Sequence, residues 1–103
     1  MNYSYTLKQE ASIEFADAFV WYEEQQEGLG ELFNVTVERK LKMICSNPLH
    51  YKISRKKFHE VPIDKFPFLV VYFIDEENSL IVITAIFQTS RNPKSKFKRT
   101  RLK

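Results

Sequence analysis

The stretch FLVVYFI-DEENS-LIVITAIF, residues 68–87, decides how this chain folds. Residues 68–74 and 80–87 are almost entirely aliphatic or aromatic, a composition typical of β-strands. The polar residues 75–79 between them predict a turn, so the two strands form a hairpin. Both strands are apolar on both faces. We therefore expect helices to cover one face, and the basic end of the chain, a partner protein or a groove to meet the other.

The sequence before the hairpin changes from strand to helix. Residues 3–7 alternate with period 2 and predict a short strand. Residues 8–26 predict a helix, whose apolar stripe contains Ile13, Ala16, Phe19 and Val20, with Phe15 and Tyr22 alongside. Two glycines end it. A second helix is predicted over residues 31–46, with Phe33, Val37, Leu41 and Ile44 facing the core, and Asn47-Pro48 stops it.

Residues 52–61 mix basic and apolar side chains and predict one half-exposed strand that ends at Pro62. The expected order is therefore β-α-α-β-β-β, an α+β domain in which an N-terminal strand and a helical hairpin pack on an antiparallel sheet. A chain of 103 residues that is 44% hydrophobic has the size and core of one domain, spanning residues 1–103.

Composition excludes several classes of function. No apolar run is long enough to span a bilayer, and the N-terminus lacks the pattern of a signal peptide. The single Cys45 fits a reducing cytoplasm, where we expect the protein to act. One Cys and two His residues make no zinc site, and neither a metal nor another cofactor is expected.

Positive charge is concentrated at the end of the chain. Residues 91–103 hold seven Lys or Arg and no acid, whereas the preceding ninety residues hold nine against thirteen Asp or Glu. Such a basic tail is suited to a polyanion or to an acidic protein partner. A solvated C-terminus that keeps the domain soluble is the alternative, and charge alone does not separate the two.

Three segments resemble the bacterial RelE/ParE toxin superfamily of toxin–antitoxin systems. They are WYEEQQEGLGELF at residues 21–33, the FPF-x-x-x-Y run at residues 66–72, and AIFQTSRNP at residues 85–93. The resemblance implies a small toxin that is neutralised by a cognate antitoxin. It also implies one of two targets: messenger RNA cut on the ribosome, as RelE-type ribonucleases do, or DNA gyrase, which ParE-type members inhibit without cutting RNA.

Arg91 follows the last strand and matches the family's Arg at that place, where it would hold a phosphate and stabilise developing charge. A surface Arg paired with an acid or with water is the alternative. His59 and Glu60 are candidate proton handlers, against the alternatives of an exposed strand histidine and an ordinary surface acid. Arg55, Lys56 and Lys57 either bind a phosphate backbone or form a charged sheet edge.

Departures from the ribonuclease pattern affect three positions. By the resemblance, ribonuclease members carry Arg, His and Tyr where this chain has Leu69, Gln88 and Phe97. Neither Gln nor Phe can shuttle a proton, although Phe can stack on a base. These losses favour a ParE-like inhibitor over a RelE-like ribonuclease, with a weakened family member as a third interpretation. Under any of these interpretations, nucleic-acid or target contacts are predicted at Arg55, Lys57, Gln88, Lys94, Lys96, Phe97, Lys98 and Arg99.

Overall fold

The structure is a computed structural model that describes residues 3–89. The predicted order of elements is confirmed, with one additional strand. The elements are β1 (Ser4–Leu7), α1 (Gln9–Gln25), α2 (Leu29–Ser46), a short 3-10 helix (Pro48–His50), β2 (Ile53–Arg55), β3 (Phe58–Pro62), β4 (Phe68–Asp75) and β5 (Leu80–Gln88).

The five strands form one sheet in the order β1-β5-β4-β3-β2. Strands β2 to β5 are antiparallel to their neighbours, as expected, but β1 runs parallel to β5, with Ser4 opposite Leu80. The sheet is therefore mixed rather than purely antiparallel. Two helices and three strands separate β1 from β5, so no hairpin constrains their relative direction.

Residues 52–61 form two strands instead of the predicted one. The chain reverses at Lys56, whose φ of 51° lies in the left-handed region, and the β2–β3 register shifts between Ile53 and Arg55. The sequence gives no glycine or Asn-Gly signal at this turn, which is why periodicity alone did not reveal it.

The helical hairpin is joined by one carboxylate. Glu23 of α1 accepts hydrogen bonds from the backbone N–H groups of Gly28 and Gly30, each at 2.9 Å. It thereby satisfies donors at the N-terminus of α2, where negative charge is favourable. Gly30 also allows the helices to approach closely, because a Cβ there would lie 2.6 Å from the carbonyl oxygen of Phe19.

Phe33 of α2 is the centre of the core. It is fully buried, and its ring lies 5.0–5.8 Å from the rings of Phe15, Tyr22, Phe66 and Phe68. The predicted core face of α2 is confirmed, since Phe33, Val37, Leu41 and Ile44 are all buried. The rings of the FPF motif thus link the start of β4 to both helices, in edge-on and tilted contacts that aromatic pairs favour.

The predicted stripe of α1 is wrong in part. Ile13 and Val20 are 51% and 52% exposed, whereas Ala11 and Ala18 are buried. Tyr22, predicted alongside the stripe, is buried as expected. Apolar residues occur nearly all round this helix, so the 3.6-residue period does not single out one face. The small side chains of Ala11 and Ala18 let α1 lie close against the sheet.

Candidate target-binding face and the surrounding site residues

The face of the sheet opposite the helices carries its own apolar cluster. Phe58, Val71, Ala85 and Phe87 form it, and the half-buried Phe73 packs against it. The buried apolar side chains of α1 and α2 all belong to the other cluster, on what we call the helix face. We call the opposite surface the second face. Successive side chains of a strand point to opposite faces, so the predicted site residues on β3, β4 and β5 divide between the helix face and the second face.

Lys57 lies on the second face. Its ammonium nitrogen is 4.1 Å from the centroid of the Phe73 ring and 5.9 Å from that of Phe58. Both distances are within the range of a cation–π interaction, which holds the charge over the aromatic surface. Arg55, opposite Phe58 in the register, adds a second exposed cation at the β2–β3 turn. The turn therefore concentrates positive charge beside aromatic rings.

Glu60 shares the second face with these cations. It is half-buried on β3 and lies opposite Val71 of β4, a residue of the second-face cluster. Arg55, Lys57 and Glu60 are thus the predicted site residues that the structure brings to one surface.

His59 points the other way, into the helix face. It is only 3% exposed, and its ring stacks on Tyr72 with centroids 4.7 Å apart and planes 3° from parallel. Its Nδ1 lies 2.7 Å from the carbonyl oxygen of Tyr51. Since a carbonyl only accepts, Nδ1 carries the proton. The alternative of an exposed strand histidine is wrong, because His59 is a buried residue that fixes the chain after α2.

Tyr72 fixes the same segment from beside His59. Its hydroxyl donates a hydrogen bond of 2.7 Å to the carbonyl oxygen of Pro48. Burial, and to a lesser degree the neighbouring Tyr51 and Cys45, raises the pKa of Tyr72 well above its ordinary value. Burial likewise raises the pKa of the Cys45 thiol. The expected core position of Tyr72 is confirmed, and the phenol remains a neutral donor at physiological pH.

Gln88 is also on the helix side of the sheet. It lies opposite Phe68 at the end of the β4–β5 ladder. Together with Glu14, Asp17 and Trp21 it lines a cleft between α1 and β5. Gln88 and Glu60 are therefore separated by the sheet. At Leu69, the register places Phe87 opposite, so two apolar side chains occupy the second face at this level.

Sequence reasoning did not single out Glu14 or Asp17 and quoted Trp21 only within a family motif. The available signal was their spacing. Glu14, Asp17 and Trp21 stand at positions i, i+3 and i+7, which places two acids and an aromatic residue on one side of α1.

Arg91, Lys94, Lys96, Phe97, Lys98 and Arg99 lie outside the described residues. Within residues 3–89, no group of three or more His, Cys, Asp or Glu side chains could hold a metal ion. Over the same range, neither helix is long and apolar enough to cross a bilayer.

Comparison with solved structures shows the same fold in toxin–antitoxin proteins. A chain of the RelBE2 toxin–antitoxin complex from Mycobacterium tuberculosis matches with a TM-score of 0.64 and 15% identity, over 85% of this chain and 99% of that one. The chromosomal ParDE system from P. aeruginosa matches with a TM-score of 0.69 and 12% identity, over 84% and 95%. The isolated E. coli RelE toxin matches with a TM-score of 0.65 and 13% identity, over 98% and 99%.

No curated protein sequence matches the chain. The sequence model of one family does, and it spans residues 5–93, from β1 past the end of β5. That family is described as the ParE toxin of the type II toxin–antitoxin system parDE. The match covers most of the 103 residues and agrees with the observed mixed sheet and helical hairpin. The chain therefore belongs to the ParE toxin family of type II toxin–antitoxin systems.

Proposed function

We propose that this toxin arrests growth by binding an essential protein target, with DNA gyrase as the first candidate, rather than by cutting messenger RNA. The supporting observation is the placement of the two candidate proton handlers. His59 and Glu60 are adjacent on β3 but point to opposite faces of the sheet.

Cleavage of RNA through the ribose 2′-hydroxyl requires acid–base groups within hydrogen-bond reach of one substrate. His59 is buried beneath Tyr72 with its Nδ1 hydrogen bonded to Tyr51, and Gln88 is on the same side of the sheet. Glu60 is therefore the one carboxylate or imidazole among the predicted site residues on the second face. A single carboxylate there lacks the paired groups that acid–base cleavage would use.

A protein target suits the second face better. Aromatic residues and Arg are enriched where proteins bind one another. Here Phe58 and Phe73 lie beside the exposed cations Arg55 and Lys57. The sequence further predicts nucleic-acid or target contacts at Lys94, Lys96, Phe97, Lys98 and Arg99 and a phosphate-holding role for Arg91, all outside the described residues. On this proposal they belong to the same single domain, spanning residues 1–103, and add positive charge for the target.

A cognate antitoxin is the second proposed partner. Support comes from the family and from two of the similar structures, which are a toxin–antitoxin complex and a ParDE system. Gyrase or ribosome-bound messenger RNA as a target would place the action of the toxin in the cytoplasm.

The deciding experiment induces the chain in a bacterial host, with and without the product of the neighbouring gene, and follows growth, transcript integrity and plasmid supercoiling together. Target inhibition predicts arrest with intact transcripts and lost supercoiling, relieved by the neighbouring product. The purified protein should then inhibit gyrase in vitro.

Cut transcripts with normal supercoiling would instead establish the ribonuclease alternative, and no arrest would indicate an inactive member. The double variant Arg55→Gln/Lys57→Gln tests the second face. We expect it to relieve arrest, whereas Lys42→Gln, an exposed lysine on α2, should remain as toxic as the parent protein.

A further inference from the structure

The outer edge of β5 is covered by β1 along only part of its length. The parallel pairing ends at Leu7 and Ile83, and the N–H of Lys8 then donates to the carbonyl oxygen of Ile83 at 2.9 Å. Within residues 3–89, no strand lies beside β5 on that edge after Ile83. Among the described residues, the edge of the sheet is therefore open beyond Ile83, where β5 extends past the end of β1.

Beyond Ile83, a side chain takes the place of a neighbouring strand at the edge of β5. The backbone N–H of Ile86 donates to Glu14 Oε1 at 2.9 Å, so a carboxylate stands where the carbonyl of a neighbouring strand would be. Main-chain groups of alternate residues point to the same edge of a strand. Those of Gln88 therefore point outward like those of Ile86, while the N–H of Thr89 donates inward to Pro67 of the segment before β4.

Beside this edge, the cleft between α1 and β5 encloses about 330 Å³. Tyr22 and Phe68 line it with aromatic surface, and the 54% exposed Trp21 lies edge-on to Tyr22 at its rim. Its charged lining residues are Glu14 and Asp17, and no Lys or Arg of the described chain is among the lining residues. Carboxylates beside an indole ring suit a cation with an aliphatic stem.

We propose that an extended segment of the antitoxin pairs with the main chain of Gln88 and inserts a Lys or Arg side chain between Trp21 and the carboxylates of Glu14 and Asp17. This inference rests on the proposed function, in which a cognate antitoxin binds the toxin. Addition of a strand to an open sheet edge supplies main-chain hydrogen bonds, and side-chain pockets supply specificity. Charge complementarity selects a basic residue for this pocket.

This subsite is on the helix side and leaves Lys57 and Phe73 of the second face uncovered. This subsite therefore adds affinity for the antitoxin and discriminates between different antitoxins. A different antitoxin with an acidic residue at the same position would bring like charge against the carboxylates of Glu14 and Asp17, and an apolar residue would supply no cation to them, so either change disfavours the wrong pairing.

The test measures affinity of the full-length toxin for the product of the neighbouring gene by calorimetry at low and at physiological salt. We expect Asp17→Asn and Trp21→Ala each to weaken binding about tenfold or more, the range for a charged hydrogen bond or a buried aromatic contact. Salt should weaken binding of Asp17→Asn less than that of the parent. The controls Glu38→Gln and Val35→Ala, both exposed on α2 and outside the cleft lining, should bind within about twofold of the parent.

Asp17 and Trp21 are exposed, so these variants should keep the thermal midpoint of the parent. If folded variants bind like the parent, the cleft is not the subsite, while antitoxin binding itself stands. If the parent does not bind the neighbouring product, the antitoxin part of the proposed function fails and this inference fails with it. Recovery of affinity when Asp17→Lys meets an antitoxin whose basic residue is changed to Glu would establish the contact directly.

Discussion

The helix face and the second face of the same sheet differ in what fills them. On the helix face, Phe33 touches four aromatic rings, and the stacked pair His59 and Tyr72 holds the chain after α2 by two hydrogen bonds of 2.7 Å. On the second face, Phe58 and Phe73 lie beneath a lysine ammonium.

One side of a strand can thus stabilise the fold while its other side, on the proposed function, recognises a target. Polar groups on the helix face are buried and hydrogen bonded, so losing one partner leaves the other unsatisfied at a high cost. The cations of the β2–β3 turn remain in water, where their removal costs the fold little and a partner can reach them. Four predictions test this contrast, in order of the expected effect.

Phe33→Ala should have the largest effect, lowering the free energy of unfolding by about 3–5 kcal/mol, because it opens a cavity among packed rings. Urea unfolding measures it. Phe73→Ala on the second face should cost clearly less, since that ring is only half-buried. Equal losses in the free energy of unfolding would show that both faces contribute alike to stability, and would contradict the assignment of the main core to the helix face.

Tyr72→Phe should lower the free energy of unfolding by about 1–3 kcal/mol, because the carbonyl of Pro48 loses its donor inside the protein. Tyr3→Phe is the matched control: it removes an exposed hydroxyl that donates to Glu76, and its effect should lie within about 0.5 kcal/mol. A control as damaging as Tyr72→Phe would contradict the assigned role.

The contribution of the Tyr72 phenol to the free energy of unfolding should decline at alkaline pH. The pKa of Tyr72 is raised in the folded protein above the value of 10.0 expected when unfolded, so the folded state holds the proton more tightly. Its contribution is full below pH 10 and declines as pH rises toward the folded pKa, by at most about 1.4 kcal/mol per pH unit. When unfolding is followed across this pH range, the free energy of unfolding of Tyr72→Phe should fall less steeply than that of the parent. An unchanged slope would assign the loss to other groups, such as Tyr5 and Tyr22, whose pKa values are also raised.

Lys57→Gln should have the smallest effect on stability, about 0.5–1 kcal/mol, the range for a cation–π contact at an exposed site. Thermal unfolding measures the change, and Lys52→Gln, which replaces an exposed lysine just before β2, is the control for loss of a surface charge. A loss of several kcal/mol would mean that the second face depends on this charge for its packing.

Periodicity and turn chemistry predicted the elements whose signals are local. The hairpin around residues 75–79, the α2 stripe and the helix end at Asn47 are confirmed. The expectation that the two glycines end α1 is wrong, because α1 is capped by Gln26, Gly28 caps the start of α2, and Gly30 lies within α2. The buried side of α1 was not predictable, because apolar residues surround it and tertiary packing makes the choice. The parallel β1–β5 pairing was missed since it joins residues that no local pattern relates.

The sequence suggests candidate site residues one by one, and their functional roles stay predictions, but it does not show how they group on the two faces. The alternation of a strand separates His59 from Glu60, yet assigning each to a face requires knowing which side the helices cover. The acidic cleft depends on α1 crossing the end of β5, a long-range contact between Glu14 and Ile86 that spacing along the chain does not express.

The position of β5 bears on how the toxin is made. It is the last described strand in the sequence, yet it lies between β1 and β4 in the sheet. During synthesis β1 leaves the ribosome first and must wait for β5, because pairing across so long a separation forms late. We expect nascent chains stalled before residue 80 to be readily cut by protease and full-length chains to resist it. We therefore expect the folded toxin to form only after β5 has been synthesised.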